Sequence, residues 1–185
     1  MTEPVDPIFS AASLDAVADE TSVAVLGRHL AFARGYTLSL LEDLEEPDWF
    51  RQPAGGVTHI AWQVGHIAMS QYGLALFRQR GRAEVDLDLM PSSFRKKYSR
   101  GTVPNPDPAA NPAPGEIRSI LDRVYEQVMK ELPTFDSEHL NRQVDPPHAA
   151  YATHYGALLF AVDHEMLHAG QIGLIKRLIG KESIR

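Results

Sequence analysis

Cysteine is absent from this chain. That excludes disulfides, thiolate metal ligands, iron–sulfur clusters and a cysteine nucleophile, and leaves any metal chemistry to histidine and carboxylate. Long apolar runs are absent too: Arg, Glu, His or Gln interrupts every stretch that approaches the ~20 residues of a membrane span. Basic character is sparse, 18 Lys and Arg against 24 Asp and Glu with no long basic run, so neither nucleic acid nor an anionic membrane surface is an expected partner. The amino-terminal MTEPVDPIFS carries acidic residues and prolines where a secretion signal would start basic and turn apolar, so the expected location is cytoplasmic. Alternation with period two is scarce. Apart from the short apolar run Leu87 to Met90, no segment reads as a strand.

What the chain does hold is hydrophobic content, 44% over 185 residues, enough for one well-cored domain spanning 1–185. Val23, Leu26, Leu30, Ala33, Thr37, Leu40, Leu41 and Leu44 recur at helical spacing. Glu46-Pro47 should stop that first helix, because the residue before proline disfavours helical dihedrals. Gly55-Gly56 breaks the chain, and a second helix is expected from a Thr58 cap to about Arg80, with Ile60, Val64, Ile67, Leu74 and Phe77 inward and Gly81 ending it. Residues 82–114 contain Pro91, Pro104, Pro106, Pro108, Pro112 and Pro114, too many for a regular element, and loops of that length are often lids. Pro114 opens a third helix with Ile117, Ile120, Leu121, Val124 and Val128 as its stripe, closed by Pro133. After a second proline-bearing loop, Thr153 caps a fourth helix that runs to about Ile179 before Gly180. The expected class is all-α, an antiparallel four-helix bundle with a long proline-rich loop between helices two and three.

His164 and His168 stand four apart, about 40° from each other around a helix, so both can grip one ion. Ala157, Phe160, Ala161, Leu167, Gln171, Ile175 and Leu178 fall on the same side, which is the expected core face. Imidazoles among core residues cost about 1–3 kcal/mol per unsatisfied group, and a metal satisfies both at once. His66, within the second apolar helix, is the third candidate ligand. Three histidines from two helices leave a coordination position open, the mark of a catalytic rather than a closed structural site. The divalent ion is expected to be zinc or nickel, with iron or manganese as alternatives.

Other residues surround this triplet. His59, two turns before His66, either lines the same cavity or is solvated at the helix start. Glu165, about 60° from His168, either orients bound water or lies on the helix surface. Gln171, one turn beyond His168, orients a ligand or packs. The basic stretch Phe94 to Arg100 either closes over the site and attracts an anionic cosubstrate or is a solvated run. The letters His164-Glu165-Met166-Leu167-His168 also fit the HExxH of zinc proteases, in which the glutamate activates water. That fit is incomplete: Leu174 occupies the position of the third metzincin histidine, and only Glu182 remains as a late carboxylate.

Trp62-Gln63-Val64-Gly65-His66-Ile67-Ala68 on an early helix, with His164-Glu165-Met166-Leu167-His168-Ala169-Gly170-Gln171-Ile172 on the last, resembles the DinB/YfiT-like superfamily. Members often place a histidine or arginine directly after the second histidine of the pair, where this chain has Ala169. The resemblance implies a four-helix bundle, often dimeric, that holds a divalent metal through His66, His164 and His168. It also implies activities among transferases and isomerases that use low-molecular-weight thiols such as bacillithiol or mycothiol, or among metal-dependent hydrolases; substrate does not transfer with fold. The expected function is a metal-dependent enzyme that activates a small thiol for transfer to a small electrophile. A hydrolase using metal-bound water, with Glu165 or His59 as proton carrier, and a noncatalytic metal-binding or dimerisation protein are the alternatives.

Overall fold

The periodicities that point inward in the sequence become four long helical elements in the computed structural model, which describes residues 18, 20–56 and 58–182. The acidic amino-terminal segment lies outside them. Helix α1 (Glu20–Ser39) buries Leu26, Leu30, Ala33 and Thr37 along one side, the i, i+4, i+7 spacing of a helix that faces a core. Past Ser39 the chain loosens into turns that keep Leu40 and Leu41 buried, and a 3₁₀ segment, Glu46–Trp49, follows with Pro47 in its first turn. The chain is mostly helical, and no helix among the described residues is long and apolar enough to cross a membrane.

The second long element runs in three parts: α2 (Ile60–Tyr72), a π turn (Gly73–Phe77) and α3 (Arg78–Arg80), ended by Gly81 at φ 78°. Its cap is His59 instead of Thr58. The His59 side chain accepts a hydrogen bond from the Trp62 N–H, while the Thr58 hydroxyl accepts from the Gln63 amide at 2.9 Å. The π turn fits an extra residue into one turn and so rotates everything after it. Leu74 and Phe77, inward on a 3.6-residue period, therefore line a surface cavity, and Ala75 and Leu76 are the buried pair.

Segment 82–114 departs from the irregular lid that its prolines suggest. It contains α4 (Asp86–Leu89), α5 (Ser92–Tyr98) and a 3₁₀ turn, Pro108–Ala110. Pro91 and Pro108 stand at the starts of these pieces, where a missing N–H costs nothing, so they punctuate helices rather than prevent them. Leu89, Met90, Phe94 and Tyr98 are buried in the main core. The Leu87 to Met90 run is mostly helix, not strand.

Helix α6 (Pro114–Glu131) opens on Pro114 and buries Ile117, Ile120, Leu121, Val124 and Val128, as its stripe requires. After α7 (Ser137–Asn141), β1 (Gln143–His148) pairs antiparallel with β2 (Tyr151–Thr153), the one sheet among the described residues. The sequence hides this hairpin, because β1 reads QVDPPH and its prolines erase any period of two. Helix α8 (His154–Leu178) is capped by the Thr153 hydroxyl, which accepts from the Gly156 N–H at 3.0 Å. α2 packs against α6 and α8, and α1 packs against α8. The α2–α8 pair is antiparallel: Gln63 meets His168, and at the far end Gln79 meets the His154 carbonyl.

The buried face of α8 is centred on Leu158, Val162, Glu165, Ala169, Ile172 and Lys176. The stripe shared by the histidines is its edge, not its centre, because α1 and α2 press on α8 from two sides. Leu167, Gln171 and Leu178, expected inward, are exposed.

Candidate metal centre

Antiparallel packing sets His66 of α2 against His164 and His168 of α8, and the three residues offer ring nitrogens that all lie within 4.8 Å of one another. Ring centroids are 5.1 Å apart for His66 and His164, 4.8 Å for His66 and His168, and 4.4 Å for His164 and His168. His66 is buried and the other two are half-buried.

Two of the rings are fixed from behind. The His66 Nδ1–H donates to the Tyr98 carbonyl at 2.6 Å, since a carbonyl can only accept. His168 Nδ1–H donates to Gln63 Oε1, and the amide end of Gln63 is held by the Thr58 hydroxyl. Each bond places the proton on Nδ1 and leaves Nε2 as the lone-pair nitrogen, the arrangement that supports metal-ligating histidines. Burial holds the protonation of His66 below its ordinary range, while burial and the neighbouring histidines hold His164 down to about 4 and His168 to about 3. All three are therefore neutral near pH 7, the form that binds metal.

The donor set fits a divalent ion. Three neutral imidazoles converging in this way could hold one. Their nitrogens spread over up to 4.8 Å, against the roughly 3.3 Å implied by tetrahedral bonds of ~2.0–2.1 Å.

The rest of the shell comes from residues close in sequence or from segment 82–114. Trp62 stacks on His66 with centroids 4.7 Å apart and planes within 10°, and its indole N–H donates to Thr102 Oγ1 at 3.0 Å. Gly65 is required by Tyr98: a Cβ there would come 2.5 Å from the Tyr98 ring. The side-chain-free Gly65 thus lets the end of α5 close on α2 and deliver the carbonyl that orients His66. Ser70 Oγ lies 3.4 Å from His66 Nε2.

His66 and His164 open onto a cavity of about 910 Å³, walled by Leu74 and Phe77 of the π turn, Phe160 of α8, and the hairpin residues Pro146, His148 and Tyr151. Its volume lies in the upper part of the ~300–1,000 Å³ range of small-molecule sites.

Three expected contributors stand elsewhere. Glu165 turns away from the cavity into the core, where its side chain is 1% exposed and pairs with Arg34 at 2.9 Å. It is neither a surface glutamate nor a base beside the histidines, and the zinc-protease reading loses its catalytic residue. His59 is buried as the cap of α2 and is not among the residues that line the cavity. Gln171 is exposed, because it falls past the edge of the buried face of α8. Of the basic stretch, Phe94 and Tyr98 are core, and Arg100 reaches the cavity.

Sequence reasoning assigned no role to Gln63 or to the Tyr98 carbonyl. A signal for the first exists: Gln63, Gln71 and Gln79 recur every eight residues along a largely apolar helical element, all are buried, and each bonds to a group of α8. The second has none, since a backbone carbonyl carries no sequence identity.

Comparison with curated proteins gives no match. Comparison with protein-family models matches residues 29–172, a span that holds the three histidines, Gln63 and Tyr98, to the DinB superfamily, and the chain belongs to that superfamily.

Proposed function

We propose that this chain is a metal-dependent enzyme, an antiparallel four-helix bundle of DinB/YfiT type, in which His66, His164 and His168 hold a divalent ion, zinc or nickel, and the adjoining cavity takes a small-molecule substrate. The observation that carries the reading is the pair of bonds from His66 to the Tyr98 carbonyl and from His168 to Gln63, which commit two converging rings to one ligating nitrogen each. When bound, the ion supplies Lewis acidity that lowers the pKa of a thiol or a water in the open position.

The chain's own residues do the positioning. Trp62 walls one side of His66, Ser70 offers a hydroxyl next to its ligating nitrogen, and the aromatic wall of the cavity excludes water from an apolar substrate. Glu165 is occupied by Arg34, so the base that an HExxH enzyme uses on water is not at hand. A thiol, with an ordinary pKa of about 8.5 against 15.7 for water, needs less assistance. This favours activation of a low-molecular-weight thiol for transfer to an electrophile over hydrolysis.

A homodimer belongs to the same proposal. Phe32 and Tyr36 of α1 and Leu167, Leu174 and Leu178 of α8 are exposed on helices that pack side by side, and a second copy would cover them. Sedimentation of the wild type and of Leu174→Glu tests it: a dimer that becomes a monomer supports it, and a wild-type monomer refutes it.

Metal analysis of protein purified without a histidine tag is the first test of function, with about one ion per chain expected and His164→Ala losing it. A metal-free chain that takes up no divalent ion overturns the reading. A panel of thiols with an electrophilic dye, run beside an ester panel, then separates transfer from hydrolysis; metal without either activity leaves a binding protein.

A further inference from the structure

The cavity beside the histidines is also lined by charge, with Arg78 at its far end. Arg78 and Arg100 both line it, and neither forms an ion pair with a carboxylate among the described residues. Arg78 is held in place without being neutralised: its Nη1 donates to the Pro146 carbonyl at 3.3 Å, and its guanidinium lies 5.9 Å from the centre of the Tyr151 ring. Asp145 also lines the cavity, so the formal balance of these three is one positive charge, in a chain whose net charge is −6. His148 adds a donor. Its Nδ1 accepts from the Ala150 N–H at 3.1 Å, which in the neutral ring leaves the proton on Nε2. Burial, and after it the charges of Arg78 and Arg100, hold His148 below its ordinary protonation range, so both guanidiniums act on this wall.

Between the two ends the wall is apolar. The helix that carries His66 continues through the π turn to Arg78, twelve positions later, about 18 Å along its axis at ~1.5 Å per residue. Phe77, Tyr151 and Phe160 occupy the intervening wall, and Gly73 leaves it open, with nothing within 4 Å of where its Cβ would stand. We infer that the cavity binds an amphipathic organic anion, its carboxylate held by Arg78 and Arg100, its aryl or alkyl body against Phe77, Tyr151 and Phe160, and its other end at the histidines. The inference rests on the metal reading only for what happens at that other end; recognition of the anion is a property of the arginines alone. An acid of two or three carbons cannot use both ends, and a neutral substrate leaves the cavity's net positive charge uncompensated.

Isothermal titration of the full metal-free chain with 4-phenylbutanoate and with 4-phenylbutanamide, matched in shape and different in charge, tests the inference. The carboxylate is expected to bind about tenfold or more tighter than the amide at low salt, the scale of a charge-assisted contact. The double substitution Arg78→Gln with Arg100→Gln should remove that preference and keep the amide affinity, while Arg78→Lys with Arg100→Lys keeps part of it. Gly73→Leu, placed in open space on a helical backbone, should weaken both probes at least about tenfold with an unchanged melting curve. Equal binding of the two probes, a preference that survives loss of both guanidiniums, a Gly73→Leu chain that binds as before, or no binding of either probe at millimolar concentration overturns the inference. Every arm is read without metal, so failure of the metal site leaves this result untouched, and the reverse also holds.

Discussion

His164 and Glu165 are adjacent on α8, and the two face opposite solutions to one problem. Glu165 points into the core and is satisfied entirely by the chain. Arg34 Nε meets its Oε1 at 2.9 Å, Gln71 reaches its Oε2 at 3.4 Å, and the same guanidinium donates to the Leu121 carbonyl at 2.9 Å and lies 4.7 Å from the Tyr125 ring centre. One buried ion pair thereby ties α1, α2, α6 and α8 together. His66 and His168, which flank His164, are anchored through their outer nitrogens, and apart from a long 3.4 Å contact of Ser70 Oγ with His66 Nε2 their inner ones converge on each other. Buried polar groups that are complete within the chain specify packing; a buried cluster left incomplete in a coordinated direction specifies a ligand. The HExxH lettering runs across this boundary, which is why its glutamate belongs to the fold and its histidines to the site.

The comparison breaks first if Glu165 proves catalytic. Glu165→Ala strands the Arg34 charge in the core and should cost about 3–5 kcal/mol, a fall in Tm on the order of 10 °C for a chain of this size, with metal content per folded molecule unchanged. Thermal melts with metal analysis decide it; a stable variant without metal would reverse the assignment. His164→Ala should do the opposite. The metal-free melt should stay within about 1 kcal/mol of wild type, while the stabilisation from added zinc, about 4 kcal/mol at a thousandfold excess over Kd, disappears.

Smaller effects sharpen the same contrast. Gln63→Leu removes the group that orients His168 and should weaken metal binding about 10–100-fold, measured by competition with a chelator. Gly65→Ala drives a methyl against the Tyr98 ring, so a loss of about 1–3 kcal/mol is expected together with weaker metal binding, as the Tyr98 carbonyl is pushed off His66. The pH dependence of the metal-free chain is the mildest test. His164 and His168 titrate near 4 and 3 when folded against 6.5 when unfolded, so below pH 6.5 the unfolded chain binds protons that the folded chain does not. Stability should therefore be flat above pH 6.5 and fall as the pH drops from there toward 4, less steeply in His164→Ala. Equal slopes in both chains would show that these rings are not buried as described.

By itself the sequence determined the four long helices, the start of α6 at Pro114 and the Thr153 cap of α8, the inward stripes of α1 and α6, and the three histidines. Those features follow from local spacing, which backbone geometry converts directly into a face. Tertiary structure decided which side of α8 is the core, since that depends on two helices pressing on it from different directions. It also decided that segment 82–114 folds into the core and lends a carbonyl to His66, that the π turn re-aims Leu74 and Phe77 into a cavity, and that β1 and β2 close its far side. In each of these, burial and hydrogen bonding outweigh local preference, and no periodicity records it.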